Sequence, residues 1–142
     1  MSNLPYTIAL IVGAGVGISA SVARALKAEG LQIGLAARNI EKLEPLAEEL
    51  GAARFAADAS DAEAVASMFT RVDAELGVPD VVVYNAAARV QGPLTELDPS
   101  AVRGAMEVAG FGGFLVVQQA EIRMVPRKRD VMAACRGAFG LD

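Results

Sequence analysis

The stretch TIALIVGAGVGIS, residues 7–19, decides the fold of this chain. Its first half, Thr7–Val12, is a continuous apolar run closed by glycines, which is typical of a strand buried on both faces. Gly13, Gly15 and Gly17 follow, and apolar residues then recur at helical spacing over residues 18–29. The stretch therefore predicts a strand, a tight glycine turn and a helix, in that order.

Strands and helices alternate along the rest of the chain. We expect strands at Leu31–Ala36, Arg54–Ala57 and Val81–Tyr84, and helices at Ile40–Leu50, behind a Ser60/Glu63 capping box, and from Asp98 to about Met124. Residues Val131–Ala134 are a candidate for one more short strand. Such alternation predicts an α/β fold, a Rossmann-like doubly wound parallel sheet of four or five strands in a single truncated domain.

The expected helices carry three local features. In the first helix, Ile18, Val22, Ala25 and Leu26 recur at helical spacing, and Gly30 lies where a left-handed C-terminal cap is wanted. Pro45 lacks a backbone donor, so we expect a kink or a late start in the second helix. The glycines at 110, 112 and 113 cost about 1 kcal/mol each inside a helix. We therefore expect a neighbouring helix or sheet to approach the last helix closely at these positions.

Composition excludes several classes of function. The chain has 142 residues, which fits one domain, and 54% hydrophobic residues, which excludes disorder. Its net charge of −4 makes it a poor nucleic-acid binder. Histidine is absent and Cys135 is the single cysteine, so zinc, haem and histidine-triad chemistry are not expected. We found neither an apolar run of membrane-span length nor a charged signal-peptide start, and therefore expect a cytoplasmic protein without membrane contact.

The glycine turn has the sequence of a phosphate cradle. Gly13, Gly15 and Gly17, with Val16 and Ile18, lie between a strand and a helix, where glycines let the backbone approach a pyrophosphate. The first-turn N–H groups and the helix dipole favour its negative charge. The alternative is a tight strand-to-helix turn without a ligand.

The end of the second strand points to a particular dinucleotide. A Rossmann domain that prefers NAD carries an acidic residue there, whereas this chain carries Arg38. A guanidinium suits a 2′-phosphate, so we expect NADP, and less readily NAD. The alternative is a solvated arginine that caps a strand end.

Over residues 6–125 the sequence resembles the short-chain dehydrogenase/reductase family. The family's glycine motif, Thr-Gly-x-x-x-Gly-x-Gly, is similar to Val12–Ser19, with the first and last positions changed. Ser19 replaces the last glycine and could tighten the packing of helix on sheet. The resemblance implies an oxidoreductase fold that binds a nicotinamide dinucleotide, with the glycine turn on its pyrophosphate.

Two further motifs of the family match at strand ends. The family's Asp after strand three, which holds the adenine ring, resembles Asp58 followed by Ala59; a helix-initiating carboxylate is the alternative. The family's Asn-Asn-Ala-Gly motif resembles Tyr84-Asn85-Ala86-Ala87. Here Asn85 is expected to tie neighbouring strands through its amide, and the alanines to leave room for the adenosine side of the cofactor.

The family's catalytic residues have no counterpart in these 142 residues. The resemblance places Ala109 at the catalytic Asn, no serine follows Ser100, and the only tyrosines are Tyr6 and Tyr84. No lysine follows Lys128, so the Tyr-x-x-x-Lys pair is absent and hydride transfer has no proton partner. We therefore expect no catalytic residue and no metal.

The resemblance also divides the chain and implies a partner. We expect an NAD(P)-binding Rossmann domain over residues 1–126 and an atypical, basic tail over 127–142, which fits truncation or a change of reading frame. Family members pack their fourth crossover helix against a second subunit, so we expect a homo-oligomer through the long helix 99–125.

Three functions remain open. The first is an NADP(H)-binding, truncated short-chain dehydrogenase/reductase-like protein without catalysis. The second is a non-enzymatic Rossmann module that senses cofactor or acts as an oligomer. The third is an enzyme completed by another chain that supplies the tyrosine and lysine.

Overall fold

The structure, a computed structural model, describes residues 4–127 and the backbone of 131–134. Five strands are present: β1 Ile8–Val12, β2 Gln32–Ala37, β3 Ala53–Ala56, β4 Val81–Tyr84 and β5 Val131–Ala134. The helices are α1 Ile18–Ala28, α2 Glu44–Leu50, α3 Ala62–Glu75, α4 Pro99–Met106 and α5 Gly113–Met124. Short 3₁₀ turns lie at Ile40–Leu43, Leu94–Glu96 and Val125–Arg127, and a π-helical segment at Glu107–Gly112 joins α4 to α5.

The strands form one parallel sheet in the order β3-β2-β1-β4-β5. Leu10 of β1 stands beside Gly34 of β2 on one side and Val82 of β4 on the other. The predicted α/β architecture is confirmed, and the short strand expected at Val131–Ala134 pairs with β4. The other residues of the expected tail, 128–130 and 135–142, lie outside the described residues.

Strand β1 lies at the centre of the sheet, and its residues are buried on both faces. Leu10 and Val12 pack with α3 and α5 on one face, in a cluster that includes Phe69. Ala9 and Ile11 face the other way, into a cluster with residues of α1 and α2. A continuous apolar run is thus required at β1, because neither face meets water.

The buried face of α1 differs from the face that the apolar spacing indicated. Ser19, Ala20 and Ala23 are buried, whereas Ile18 is 74% exposed. Val22 and Leu26 only pack at the margin of the core. Small side chains face the sheet because they let the helix approach it closely, and this approach leaves Ile18 at the rim.

The helix around Pro45 starts late, as predicted. A 3₁₀ turn covers Ile40–Leu43, and α2 begins only at Glu44, with the proline in its first turn. Asn39 caps the 3₁₀ turn by accepting a hydrogen bond from the backbone of Glu41. Proline is tolerated there because a first-turn residue has no intrahelical partner for an N–H group.

The predicted capping box of α3 is wrong. Asp61, not Ser60, is the N-cap, and its carboxylate accepts hydrogen bonds from the backbone N–H groups of Glu63 and Ala64. Ser60 is engaged one turn earlier, since both its N–H and its hydroxyl donate to Asp58. Because Ser60 is bound to the Asp58 carboxylate, the next residue, Asp61, caps α3 instead.

The long helix begins as predicted, with Asp98 as N-cap and Pro99 in the first turn. Of its glycines, Gly112 has a clear packing reason: a Cβ there would lie 2.5 Å from the Tyr84 hydroxyl oxygen. A Cβ on Gly110 would meet nothing within 4 Å, so close packing does not explain that glycine. The Tyr84 hydroxyl donates to the carbonyl of Val108, which fixes the π-helical segment to β4.

The segment Pro99–Arg127 is 29 residues long, and its most apolar 18-residue window has a mean hydropathy of 1.3, enough by length and composition alone to cross a membrane. Charged residues such as Glu107 and Glu121 interrupt the segment, so it is not the uninterrupted apolar run that the sequence was expected to lack. Leu115, Val116 and Ala120 of this segment pack into the core beside the sheet, as in the core helix of a globular domain. Only 22% of its most apolar window is buried, however, so much of its apolar surface faces outward.

A buried carboxylate fastens β1, β4 and the end of the long helix to one another. Asp80 is fully buried, and one of its oxygens accepts hydrogen bonds from Thr7 N, Thr7 Oγ1 and Ile8 N at 2.7, 2.7 and 3.0 Å. The other oxygen lies 3.0 Å from an Arg127 nitrogen. Burial alone would raise the pKa of Asp80, but the bonds from Thr7 and Ile8 and the charge of Arg127 outweigh it and lower the pKa.

We expect Asp80→Ala to lower the free energy of unfolding by about 3 kcal/mol, because it leaves the buried donors of Thr7 and Ile8 without their acceptor and removes the ion pair with Arg127. Urea denaturation at pH 7 measures the effect. Glu75→Ala, an exposed carboxylate on α3, is the matched control and should change stability by less than about 0.5 kcal/mol.

The contribution of Asp80 should also depend on pH. Since its folded pKa lies below the unfolded value of about 3.9, the stabilisation is present above that value and is lost as pH falls through the folded pKa. The difference between wild type and Asp80→Ala should therefore shrink below about pH 4. A difference that stays constant into that range would contradict the assignment.

Candidate functional site

Every residue expected to contact a cofactor lies at one edge of the sheet. The glycine turn follows β1, Arg38 follows β2, Asp58 follows β3 and Asn85 follows β4. Because the strands are parallel, their carboxyl ends meet at the same edge, which is where sheets of this class bind ligands. The structure thus brings together the positions that sequence motifs had marked separately.

At this edge, the backbone of Gly13 packs directly against the backbone of Ala86. Its φ is +85°, and a Cβ there would lie 2.3 Å from the nitrogen and 2.4 Å from the Cα of Ala86. The N–H groups of Gly13 and Ala14 both donate to the carbonyl of Ala36, at 2.9 and 3.0 Å. The turn is therefore held between β2 and β4, and no residue with a side chain fits at its first position.

The remainder of the glycine turn is open. A Cβ on Gly15 or on Gly17 would meet nothing within 4 Å, and Val16 and Ile18 are 96% and 74% exposed. Gly17 is the N-cap of α1, and no side chain among the described residues caps that end. The N–H of Ala20 donates to the carbonyl of Gly17, and those of Ile18 and Ser19 are left for another acceptor, as at helix ends that bind phosphate.

Ser19 and Asn85 join the turn to the end of β4. The Ser19 hydroxyl donates to the carbonyl of Gly13 at 3.1 Å and accepts from Asn85 Nδ2 at 3.0 Å. The backbone N–H of Asn85 donates to Val12 at 2.8 Å. The backbone of Asn85 thus links β4 to β1, whereas its side-chain amide, which was expected to tie neighbouring strands, reaches Ser19 of helix α1 instead.

Sequence reasoning did not assign Ser19 this role. The side chain is 3% exposed, and one of its two hydrogen bonds comes from Asn85, 66 positions away in the chain. The available signal was a polar residue in place of a glycine at the start of an otherwise apolar helix. A buried hydroxyl needs partners, and here those partners are parts of the candidate site.

Arg38 and Asp58 are both exposed at this edge. Hydrogen bonds from the Ser60 hydroxyl, at 2.7 Å, and from its N–H, at 3.0 Å, lower the pKa of Asp58. Partial burial opposes them, and the positive charge of Arg38 lowers the pKa further. Asp58 is therefore ionised at neutral pH and is held as an acceptor within electrostatic range of Arg38.

Tyr84, the last residue of β4, lies in the same core cluster as Ala59. Its side chain is 5% exposed, and its hydroxyl is bound to Val108. Burial, and then the negative charge of Asp58, raise the pKa of Tyr84 to about 12. Ala59 is buried, Ala86 is half-buried and Ala87 is exposed, so the last two border the open side of the edge.

Two cavities lie near the helices. The larger, of about 340 Å³, is lined by Pro99, Ser100, Arg103, Gly104 and Glu107, none of which was expected to bind cofactor. The smaller, of about 170 Å³, includes Gly15 and Val16 of the glycine turn. In the described part of the chain, no group of three or more His, Cys, Asp or Glu side chains could hold a metal ion.

Residues 7–131 match the family model for short chain dehydrogenase. The chain belongs to the short-chain dehydrogenase family. It is 33% identical over 128 residues to D-threitol dehydrogenase of Mycolicibacterium smegmatis, an alignment that covers 87% of this chain and 49% of that protein.

Two solved structures share the fold described above. A metagenomic short-chain oxidoreductase in complex with NADP is 30% identical, with a TM-score of 0.83, over 90% of this chain and 61% of that one. A variant of actinorhodin polyketide ketoreductase with NADPH is 27% identical, with a TM-score of 0.85, over 94% of this chain and 54% of that one. The chain thus spans about half the length of these short-chain dehydrogenase relatives.

Gly13→Ala should disrupt the site, since it combines a positive φ with a Cβ that collides with Ala86. We expect a loss of about 3 kcal/mol or more in the free energy of unfolding, measured by thermal or urea denaturation. The matched control is Gly15→Ala, for which there is space, and which should change stability by less than about 1 kcal/mol. Equal stability of the two variants would contradict the close approach described here.

Proposed function

We propose that this chain is the cofactor-binding part of a short-chain dehydrogenase and that it binds NADP(H), less readily NAD(H). The observation that carries the proposal is the glycine turn, closed at Gly13 by the backbone of Ala86 and open at Gly15 and Gly17. A pyrophosphate needs such a turn, with backbone exposed at the N-terminus of a helix. NADP and NADPH in the structures of two relatives support the choice of ligand class.

Each remaining residue has a part in this proposal. Ile18 and Val16 border the pyrophosphate, and their exposed apolar side chains would be covered by a bound dinucleotide. Arg38 takes the 2′-phosphate, because a guanidinium pairs with phosphate through two parallel hydrogen bonds. Asp58, with Ala59, accepts from the adenine amino group, and Asn85, Ala86 and Ala87 border the adenosine side.

The chemistry of the complete protein is a separate part of the proposal. A nicotinamide dinucleotide supplies or accepts hydride, so we propose an oxidoreductase acting on a carbonyl or a secondary alcohol. Within these 142 residues, Tyr84 is a poor proton donor, because its hydroxyl is buried and bound to Val108 and its pKa is raised to about 12. We therefore propose that residues 1–142 bind cofactor without carrying out the proton transfer that the reaction needs.

A thermal titration with NADPH and NADH tests the binding. A ligand that binds only the folded chain stabilises it by about 2.7 kcal/mol at a hundred times its dissociation constant, so the unfolding midpoint should rise with each, and more with NADPH. Arg38→Asp should remove the preference for NADPH. Arg103→Asp, an exposed arginine on α4, changes the charge equally and should leave the preference intact. A preference that survives in Arg38→Asp contradicts the 2′-phosphate assignment.

Turnover distinguishes the catalytic part of the proposal from the binding part. With NADPH and a panel of aldehydes and ketones, we expect no reduction above background by the purified chain. Turnover by this chain alone would contradict the absence of a proton donor, whatever the affinity for cofactor. The cytoplasmic location stays a prediction.

A second candidate function, an oligomeric module, is favoured by the outer surface of the long helix. Met106 is 69% exposed, Phe111 and Phe114 are each 49% exposed, and Ile122 is 61% exposed. The two phenylalanine rings stack, with centroids 6.3 Å apart. Exposed apolar patches of this kind mark interaction surfaces, and we propose that a second copy of the chain covers this one.

Phe111→Glu combined with Phe114→Glu tests the oligomer. Light scattering after size-exclusion chromatography should show an oligomer for the wild type and a monomer for the double variant, because two buried charges would have no partners. Leu94→Glu, which alters an 85% exposed residue outside the long helix, is the control and should keep the oligomer. A wild-type chain that is monomeric at micromolar concentration contradicts the proposal.

A further inference from the structure

The smaller cavity lies between α1 and the segment that leads into α2. Gly15 and Val16 form its end at the glycine turn, and Leu43 and Leu46 contribute apolar side chains. Its volume is about 170 Å³. The residues expected from sequence include only the two from the glycine turn, so the remaining wall has had no assigned role.

Three charged side chains line this cavity, and two of them neutralise each other. Arg24 Nε on α1 lies 2.8 Å from Glu49 Oε2 on α2. Lys42, in the 3₁₀ turn, is the third. Its side chain has no hydrogen bond or ion pair with any residue in the described part of the chain. The cavity therefore carries one positive charge that no carboxylate offsets, beside the open part of the glycine turn.

The backbone that carries Lys42 is fixed. Asn39 caps the turn through the N–H of Glu41 at 3.1 Å, and Arg54 donates to the carbonyl of Ile40 at 3.2 Å. Leu43, the next residue, is 2% exposed and anchors the turn in the core. Lys42 is thus a flexible cation on a rigid base, held next to the glycine turn.

We propose that Lys42 is a second ligand of the cofactor's 2′-phosphate and so a specificity-determining residue for NADPH over NADH; this rests on the proposed NADP(H) binding. The phosphate of NADPH lies, in this assignment, between Arg38 on the β2 end and Lys42 at the cavity. Arg38 shares its charge with Asp58, whereas Lys42 makes no ion pair in the described residues, because Glu49 of the same cavity is paired with Arg24. An ammonium acts on a phosphate dianion as a point charge and needs no fixed orientation.

Calorimetric titration of Lys42→Met with NADPH and NADH tests the proposal. Methionine keeps the length of the side chain and removes the charge. We expect the dissociation constant for NADPH to rise about five-fold, as for one exposed charge pair, and that for NADH by less than about two-fold. Lys42→Arg, which restores the charge, should keep most of the NADPH affinity.

Lys27→Met is the matched control. Lys27 is in the last turn of α1, about 13 Å along the helix from Ile18, and its loss changes the net charge equally. Glu49→Gln adds a test of the opposite sign: it frees Arg24 at the cavity and should tighten NADPH about two-fold or more without a matching change for NADH.

The outcomes separate this inference from the proposed function. A wild-type chain that binds neither dinucleotide contradicts the proposed function, and with it this inference. A wild-type chain that binds NADPH, with Lys42→Met weakening NADPH and NADH equally or neither, overturns the role of Lys42 alone. A loss for Lys27→Met as large as that for Lys42→Met also overturns it, because the effect would then be one of net charge.

Discussion

The candidate site depends on one close approach, that of the Gly13 backbone to the peptide between Asn85 and Ala86. It brings the end of the first strand against the end of the fourth, and the Ser19 hydroxyl completes the join by bonding both Gly13 and Asn85. The first position of the turn is thus fixed, whereas Gly15 and Gly17 have open space around them. The turn therefore combines a position that accepts no side chain with two positions whose backbone is uncovered.

The order of elements and the site's edge could be predicted from the sequence because both depend on local patterns. The run Thr7–Val12 contains no polar interruption, and only a central strand covered on both faces requires that. A glycine turn between this strand and a helix then places the ends of the other strands beside it, through the parallel topology alone. The placement of Arg38, Asp58 and Asn85 at this edge needed no further information.

The details that could not be predicted depend on residues far away in the chain. The buried face of α1 is made of Ser19, Ala20 and Ala23 because the sheet lies close, and helical spacing alone favoured Ile18. Gly112 is required by Tyr84, 28 positions earlier, whereas the neighbouring Gly110 meets no such restriction. Ser60 was lost as a cap because Asp58 competes for it. In each case a short sequence pattern was compatible with two local structures, and a tertiary contact determined which one forms.

The buried phenol at the end of the fourth strand makes the chain its own optical probe. The sequence contains two tyrosines and no tryptophan, so ultraviolet absorbance and emission come chiefly from Tyr6 and Tyr84. Of these two, Tyr84 joins the sheet to the π-helical segment, through its bond to Val108. The tyrosine spectrum therefore reports, without any label, whether the long helix is docked on the sheet.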